Sequence, residues 1–192
     1  MYHAIVAHKL RTVFAAISRG DAWPMMDSLA GRFVYRFEGD SPIGGVRSSR
    51  QSMQLWWERM YRLFPGLSFV VRDVVVAGPP WNTRIHTHLD FVMPLPDGKT
   101  YRNVVMQVMR MRWGRVTEIH TLEDTQRCMR LLQWQAERGK AEALAAPITD
   151  VSWPQEGPFL SGDPVVLASW QHSKEKARGL SAPGLRGVNR LS

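Results

Sequence analysis

At Ser68 the apolar residues of this chain change their period, and that switch constrains the fold more than any other feature. From Phe69 to Ala77 the sequence is rich in valine, from Arg84 to Met93 it alternates, and Tyr101 to Trp113 and Val116 to Leu122 are again β-prone. Asp97-Gly98 is a strong hairpin signal, and Trp113-Gly114 turns the chain once more. Successive strands joined by tight turns pair antiparallel. A sheet of this kind needs something to cover one face.

The segments around it supply that cover. Val6, Leu10, Val13, Phe14 and Ile17 recur at the spacing of one helical face between Tyr2 and Arg19, and Gly20-Asp21 ends the segment. A short helix over 22–29 follows, with Pro24 tolerated in its first turn. Phe33, Tyr35 and Phe37 alternate as a strand, and the stretch from Gly39 to Gly45 reads as a loop. Ser48 or Ser49 caps a third helix that carries Met53, Trp56, Trp57, Met60 and Phe64 and stops at Pro65-Gly66. Trp56 and Trp57 stand ~100° apart on that helix, so only one of them is expected to face inward. A last helix over 124–138 presents Cys128, Leu131 and Leu132 on one side.

The predicted fold class is therefore α+β, a curved antiparallel sheet with helices packed on its concave face. Residues 1–147 form this domain. Beyond Pro147 no sustained period is found, and 148–192 is expected to be a Pro- and Gly-containing extension, partly disordered and dispensable for folding.

Composition narrows the function classes. The single cysteine, Cys128, excludes an intramolecular disulfide or a thiolate metal cluster. No apolar run is long enough to span a membrane, and the first residues lack the features of a secretory signal, so the protein is expected in the cytoplasm. The formal charge of +8 is spread along the chain rather than clustered, which argues against nucleic acid as a partner. Phosphate loops, dinucleotide fingerprints, HExxH and GxSxG motifs are missing, and no cofactor or metal is expected.

On the strand from Arg84 to Met93, period-2 geometry puts Arg84, His86, His88 and Asp90 on one face and Ile85, Leu89 and Phe91 on the other. Two imidazoles and a carboxylate together have the makings of a proton-transfer site. A solvated strand face is the alternative. On the next strand Tyr101, Asn103, Gln107 and Met109 share a face that could hydrogen-bond and wall a ligand. Glu118 and His120 point outward if Thr121 points in.

Gly20-Asp21 after the first helix, the Trp56-Trp57 helix ending in Phe64-Pro65-Gly66, Val74 to Gly78, and Trp113-Gly114-Arg115-Val116 ahead of His120 to Asp124 come in a telling order. That order resembles the SnoaL-like branch of the nuclear transport factor 2-like superfamily over about residues 2–138. The resemblance implies a cone-shaped α+β barrel around a pocket, often dimeric through the outer face of its sheet. It implies no single activity, because relatives include ketosteroid isomerases, polyketide cyclases, limonene-epoxide hydrolases and non-catalytic binders. The positions matching the isomerase acid–base groups are Val13, Phe37 and Gln107. The position matching the cyclase acid is Thr121. The arginine–aspartate pair of the epoxide hydrolases corresponds to His88 and Asp90.

The resemblance turns the polar face of the 84–93 strand into the cone. His86, His88 and Asp90 are then the expected catalytic groups, with Arg84, Tyr101, Asn103, Gln107, Met109, Trp56 and Thr121 binding the ligand. The apolar face holding Ile85, Leu89 and Phe91 would meet a second subunit in a homodimer. The expected function is binding of a small, largely apolar metabolite, with cofactor-free acid–base chemistry or as a non-catalytic module of the same fold.

Overall fold

The computed structural model describes residues 1–151; the remainder of the extension, 152–192, lies outside the described residues. The elements follow the sequence pattern closely. Helices α1 (Tyr2–Ile17) and α2 (Trp23–Ser28) precede strand β1 (Leu29–Phe37). A three-residue strand β2 (Gly45–Arg47) lies at the end of the expected loop, and α3 (Arg50–Leu63) follows. Strands β3 (Ser68–Ala77), β4 (Thr83–Pro94), β5 (Thr100–Arg112) and β6 (Arg115–Glu123) lead into α4 (Thr125–Ala136) and a 3-10 turn (Ala141–Leu144).

The six strands form one sheet in the order β2-β1-β6-β5-β4-β3. Every pairing is antiparallel except that of β1 with β6, so the sheet is mixed rather than purely antiparallel. β6 returns beside β1 in the parallel sense because the chain between them crosses over through β2, α3 and strands β3 to β5, which a hairpin cannot do. At the β5–β6 hairpin both Trp113 and Gly114 take positive φ, 50° and 78°. Two such residues in a row suit a tight turn that matches strand twist, and glycine takes the second place without strain.

Helix ends are fixed as the sequence implies. Ser49 accepts from the Ser52 amide at the start of α3, and Asp124 accepts from the Arg127 amide at the start of α4. The core lies between the sheet's inner face and the helices and includes Ile17, Met53, Trp56, Leu63, Leu89 and Leu132, all nearly solvent-free. Trp56 and Trp57 are both buried and meet edge to face, with centroids 4.8 Å apart. The one-inward expectation is corrected here: a 100° separation still fits within an apolar face as wide as that of α3.

The folded body continues past residue 147. Arg47 donates to the Ile148 carbonyl at 2.7 Å, and Thr149 Oγ1 donates to the Val46 carbonyl at 2.7 Å. The Asp150 carboxylate accepts from the Ser48 and Ser49 amides at 2.7 and 2.9 Å and from Ser52 Oγ at 2.6 Å. Residues 148–150 therefore strap the start of α3. No helix among the described residues is long and apolar enough to cross a membrane.

Candidate active site

The inner faces of the strands and the helices enclose a cavity of about 260 Å³. Its walls are mainly apolar: Val13 and Phe14 from α1, Trp56, Trp57 and Met60 from α3, and Phe37, Ile85, Phe91, Val105 and Met109 from the sheet. Exposed Ile5, Lys9 and Gly114 also line it, which puts a mouth between α1 and the β5–β6 turn. Glu123 and Cys128 line it at the other end of β6. Nine residues of strand separate Gly114 from α4, roughly 30 Å, so the cavity is elongated.

Polar groups are few and run along β5, β6 and β1. Gln107 Nε2 donates to Thr121 Oγ1 at 3.0 Å, and Thr121 Oγ1 donates to the Tyr35 hydroxyl at 3.4 Å. Two residues beyond Thr121, half-buried Glu123 accepts from Asn103 Nδ2 at 3.1 Å. Asn103 donates also to the Asp124 carbonyl, which keys it to the start of α4. Burial raises the Glu123 carboxyl to about 7, against the opposing pull of the Cys128 thiol and the Asn103 amide. The Cys128 thiol is itself pushed up by burial and by Glu123. The Tyr101 hydroxyl is buried and leans toward Asn103 without completing a hydrogen bond of normal geometry. The Trp57 indole N–H is likewise buried without a partner. Both are donors left open on residues that wall the cavity.

Behind Tyr35 lies a buried cation. The Arg47 guanidinium sits 5.2 Å from the Tyr35 ring centroid and 4.9 Å from that of Trp56, and it donates to the Gly44, Gly45 and Ile148 carbonyls. Burial lowers its pKa to about 10, so it stays charged at neutral pH. Burial also raises the Tyr35 phenol to about 12, while Arg47 pulls the other way.

Five of the expected ligand-binding residues line the cavity: Trp56, Tyr101, Gln107, Met109 and Thr121. Asn103 is buried but reaches the site through Glu123. The expected catalytic set does not come inside. On β4 it is Ile85, Thr87, Leu89, Phe91 and Met93 that are buried, while Arg84, His86, His88 and Asp90 occupy the outer face. The physical reason is plain: turning four ionisable side chains into an apolar cavity would strip their hydration and expose four large apolar ones, Ile85, Leu89, Phe91 and Met93. Asp90 instead pairs with Arg72 of β3. Leu89, expected at a subunit interface, has no exposed surface within the single chain. Among the described residues no three His, Cys, Asp or Glu side chains gather as a metal site.

Sequence reasoning missed Glu123 as a site residue. The available signal was its place two residues after Thr121, on the same inward face of β6. Glu38, a loop carboxylate, faces out and meets His120 Nε2 at 2.6 Å.

Solved structures share this architecture. IdmH from Streptomyces antibioticus, a candidate polyketide cyclase, matches with a TM-score of 0.54 at 21% identity, over 66% of this chain and 97% of its own. AclR from Streptomyces galilaeus, a candidate hydroxylase, matches with a TM-score of 0.54 at 16% identity, over 94% of this chain and 99% of its own. An NTF2-like protein from Burkholderia thailandensis gives a TM-score of 0.56 at 19% identity, over 66% and 95%. At these identities the likeness establishes the fold alone. No curated protein matches. The SnoaL-like domain model matches residues 10–119, more than half of the chain, and the protein belongs to the SnoaL-like family of the NTF2-like fold.

Proposed function

We propose that the cavity binds a small, largely apolar metabolite and that Glu123 exchanges a proton with it without a cofactor. The observation that carries this reading is a carboxyl raised to about 7 at the end of an otherwise apolar cavity. An acid or base works best when its pKa lies near the working pH, because both proton states are then accessible. Open donors nearby, above all Tyr101, can orient an oxygen of the ligand. Isomerisation, dehydration and ring closure next to a carbonyl all begin with a proton removed from carbon, and all fit this arrangement. Family membership and neighbours that include a candidate polyketide cyclase support the same class.

The test uses a probe ketone, 2-tetralone, whose α-hydrogens exchange with D2O and are followed by NMR. The native protein should accelerate exchange, with a rate that rises with pH and levels off above about 7, where Glu123 is ionised. Glu123→Gln should lose about 100-fold or more of the acceleration. Equal rates for the two proteins would remove Glu123 from the chemistry.

A homodimer formed through the outer face of the sheet belongs to the same reading. Val104, Met106, Val108 and Leu122 form an exposed apolar strip on β5 and β6, where the register sets Met106 opposite Leu122. Exposed apolar clusters of this kind commonly mark a protein interface.

A further inference from the structure

Two hairpins close opposite ends of the sheet, and their tips suit different surroundings. The β4–β5 turn ends in Asp97-Gly98, and its Lys99 pairs with Asp97 at 3.2 Å. The β5–β6 turn instead reads Arg112-Trp113-Gly114-Arg115, and Trp113 is 72% exposed. Its φ of 50° is a left-handed conformation that a bulky residue rarely takes and asparagine takes readily. Trp113 thus carries a backbone cost and gains little burial within the chain. Trp81, 57% exposed on the β3–β4 loop, stands beside it with ring centroids 5.9 Å apart. The Trp113 amide donates to the Pro80 carbonyl at 2.7 Å, which ties the two loops together.

The start of α1 meets the same loops. Tyr2 shares a hydrogen bond of 2.6 Å with Thr83, and His3 Nε2 donates to the Gly78 carbonyl at 2.8 Å. Ile5, 56% exposed, and Lys9 follow on that helix and line the cavity mouth with Gly114. Positive charge surrounds this end. Among the described residues Lys9, Arg32, Arg84 and Arg112 are exposed and stand without an acidic partner. The carboxylates nearby, Asp27 and Glu118, are matched by Arg115 at 3.9 Å and Arg110 at 3.3 Å. Arg32, Arg110 and Arg112 line one groove.

We propose that this end of the molecule docks on an anionic lipid surface, with Trp113 and Trp81 at the level of the headgroups and the arginines against lipid phosphates. An indole suits that level because its ring is apolar and its N–H polar. An arginine lays its stem along apolar surface while its fork meets phosphate. Free phosphate would satisfy the arginines and leave both exposed indoles without a role; a bilayer satisfies both. Docking of this kind needs no spanning helix. It seats the cavity mouth on the membrane, so an apolar ligand can pass from lipid to protein without crossing water. That route rests on the cavity-binding reading, whereas the docking itself does not.

The experiment floats the full chain with vesicles of phosphatidylcholine alone, or of phosphatidylcholine and phosphatidylglycerol in equal parts. The native chain should bind the mixed vesicles about tenfold or more tighter than the neutral ones. Trp113→Asn, which suits the turn, should melt no lower than native yet bind mixed vesicles about fivefold weaker. Trp81→Ser should repeat that loss, and it decides the matter if Trp113→Asn does not fold. Arg84→Glu with Arg112→Glu should erase the preference for anionic vesicles, a loss of about twentyfold or more. Lys99→Glu, at the opposite hairpin, should stay within about twofold of native. A native chain that does not float, or tryptophan variants that float as it does, would overturn the docking. So would release from the vesicles by sodium phosphate at matched ionic strength, which would make free phosphate the ligand. None of these variants touches Glu123, so ketone exchange by the native chain would still stand as the separate test of the cavity.

Discussion

Asp90 and Glu123 are carboxylates on strands of one sheet, and the sheet divides them into different chemistries. Asp90 stands on the outer face of β4 and accepts two hydrogen bonds from Arg72, which hold its carboxyl below the usual range against a modest effect of burial. Glu123 stands on the inner face of β6, where burial raises it to about 7. One is locked as a solvated ion pair, and the other can gain or lose a proton near neutrality. The difference lies in surroundings rather than residue type: the Arg72 guanidinium holds Asp90 on the outer face, and desolvation governs Glu123 on the covered one.

The largest test of this division is a charge placed on each face. Leu89→Asp buries a carboxylate without a partner in the core and should cost more than about 4 kcal/mol, enough to abolish a cooperative melt by circular dichroism. Met106→Asp, on the outer face, should change stability by no more than about 1 kcal/mol. By light scattering it should convert the proposed dimer to monomer. A chain that tolerates Leu89→Asp would invert the assignment of faces.

A sharper test compares the two carboxyls by pH. The folded pKa of Glu123 lies above its unfolded value, so the native state binds the extra proton. Stability should therefore fall as pH rises from about 4.5 to about 7, by up to about 3 kcal/mol. Glu123→Gln should be no more stable than native at pH 4 but more stable at pH 8, read from urea midpoints. Asp90 behaves oppositely: its lowered pKa stabilises the fold above the ordinary carboxylate range and is lost as pH falls through the folded value. Asp90→Asn should thus weaken the fold slightly at neutral pH and gain nothing at pH 8. Identical pH profiles for the two variants would mean that the cavity is wet and Glu123 ordinary.

The smallest expected effect concerns Asp150. Burial alone would raise its carboxyl, but hydrogen bonds from Ser49, Ser52 and Ser48 bring it down to about 2. Its side chain is exposed, so the stabilisation is discounted for solvent to about 1 kcal/mol, the value of an ordinary cap. Asp150→Ala should lower stability by that much at pH 7, read from urea midpoints, and by progressively less as pH falls through about 2. No loss at pH 7 would show that the strap over α3 contributes nothing to the fold.

Much of the fold was legible in the residues. The helix-to-strand switch at Ser68, a serine cap at 48 or 49, the Asp97-Gly98 turn and the shared face of β5 were readable because each depends on neighbours close in sequence. The candidate site was only half legible. Tyr101, Gln107 and Met109 line the cavity from the one strand face on which alternation groups them. His86, His88 and Asp90 were placed on the wrong side because alternation separates two faces without saying which is covered. In this case the elementary preference for burying Ile85, Leu89 and Phe91 is what the structure obeys.

By itself, then, the sequence determined the elements, their order and which residues share a face, because helical and strand periods are set by local backbone geometry. Tertiary structure alone decided three things. It chose the covered side of β4, it desolvated Glu123 by folding α4 and Cys128 against the end of β6, and it joined Gln107, Thr121 and Tyr35 into one chain of donors across separations of 14 and 86 positions. A pKa and a hydrogen-bond direction depend on what surrounds a group in space, and no period along the chain carries that information.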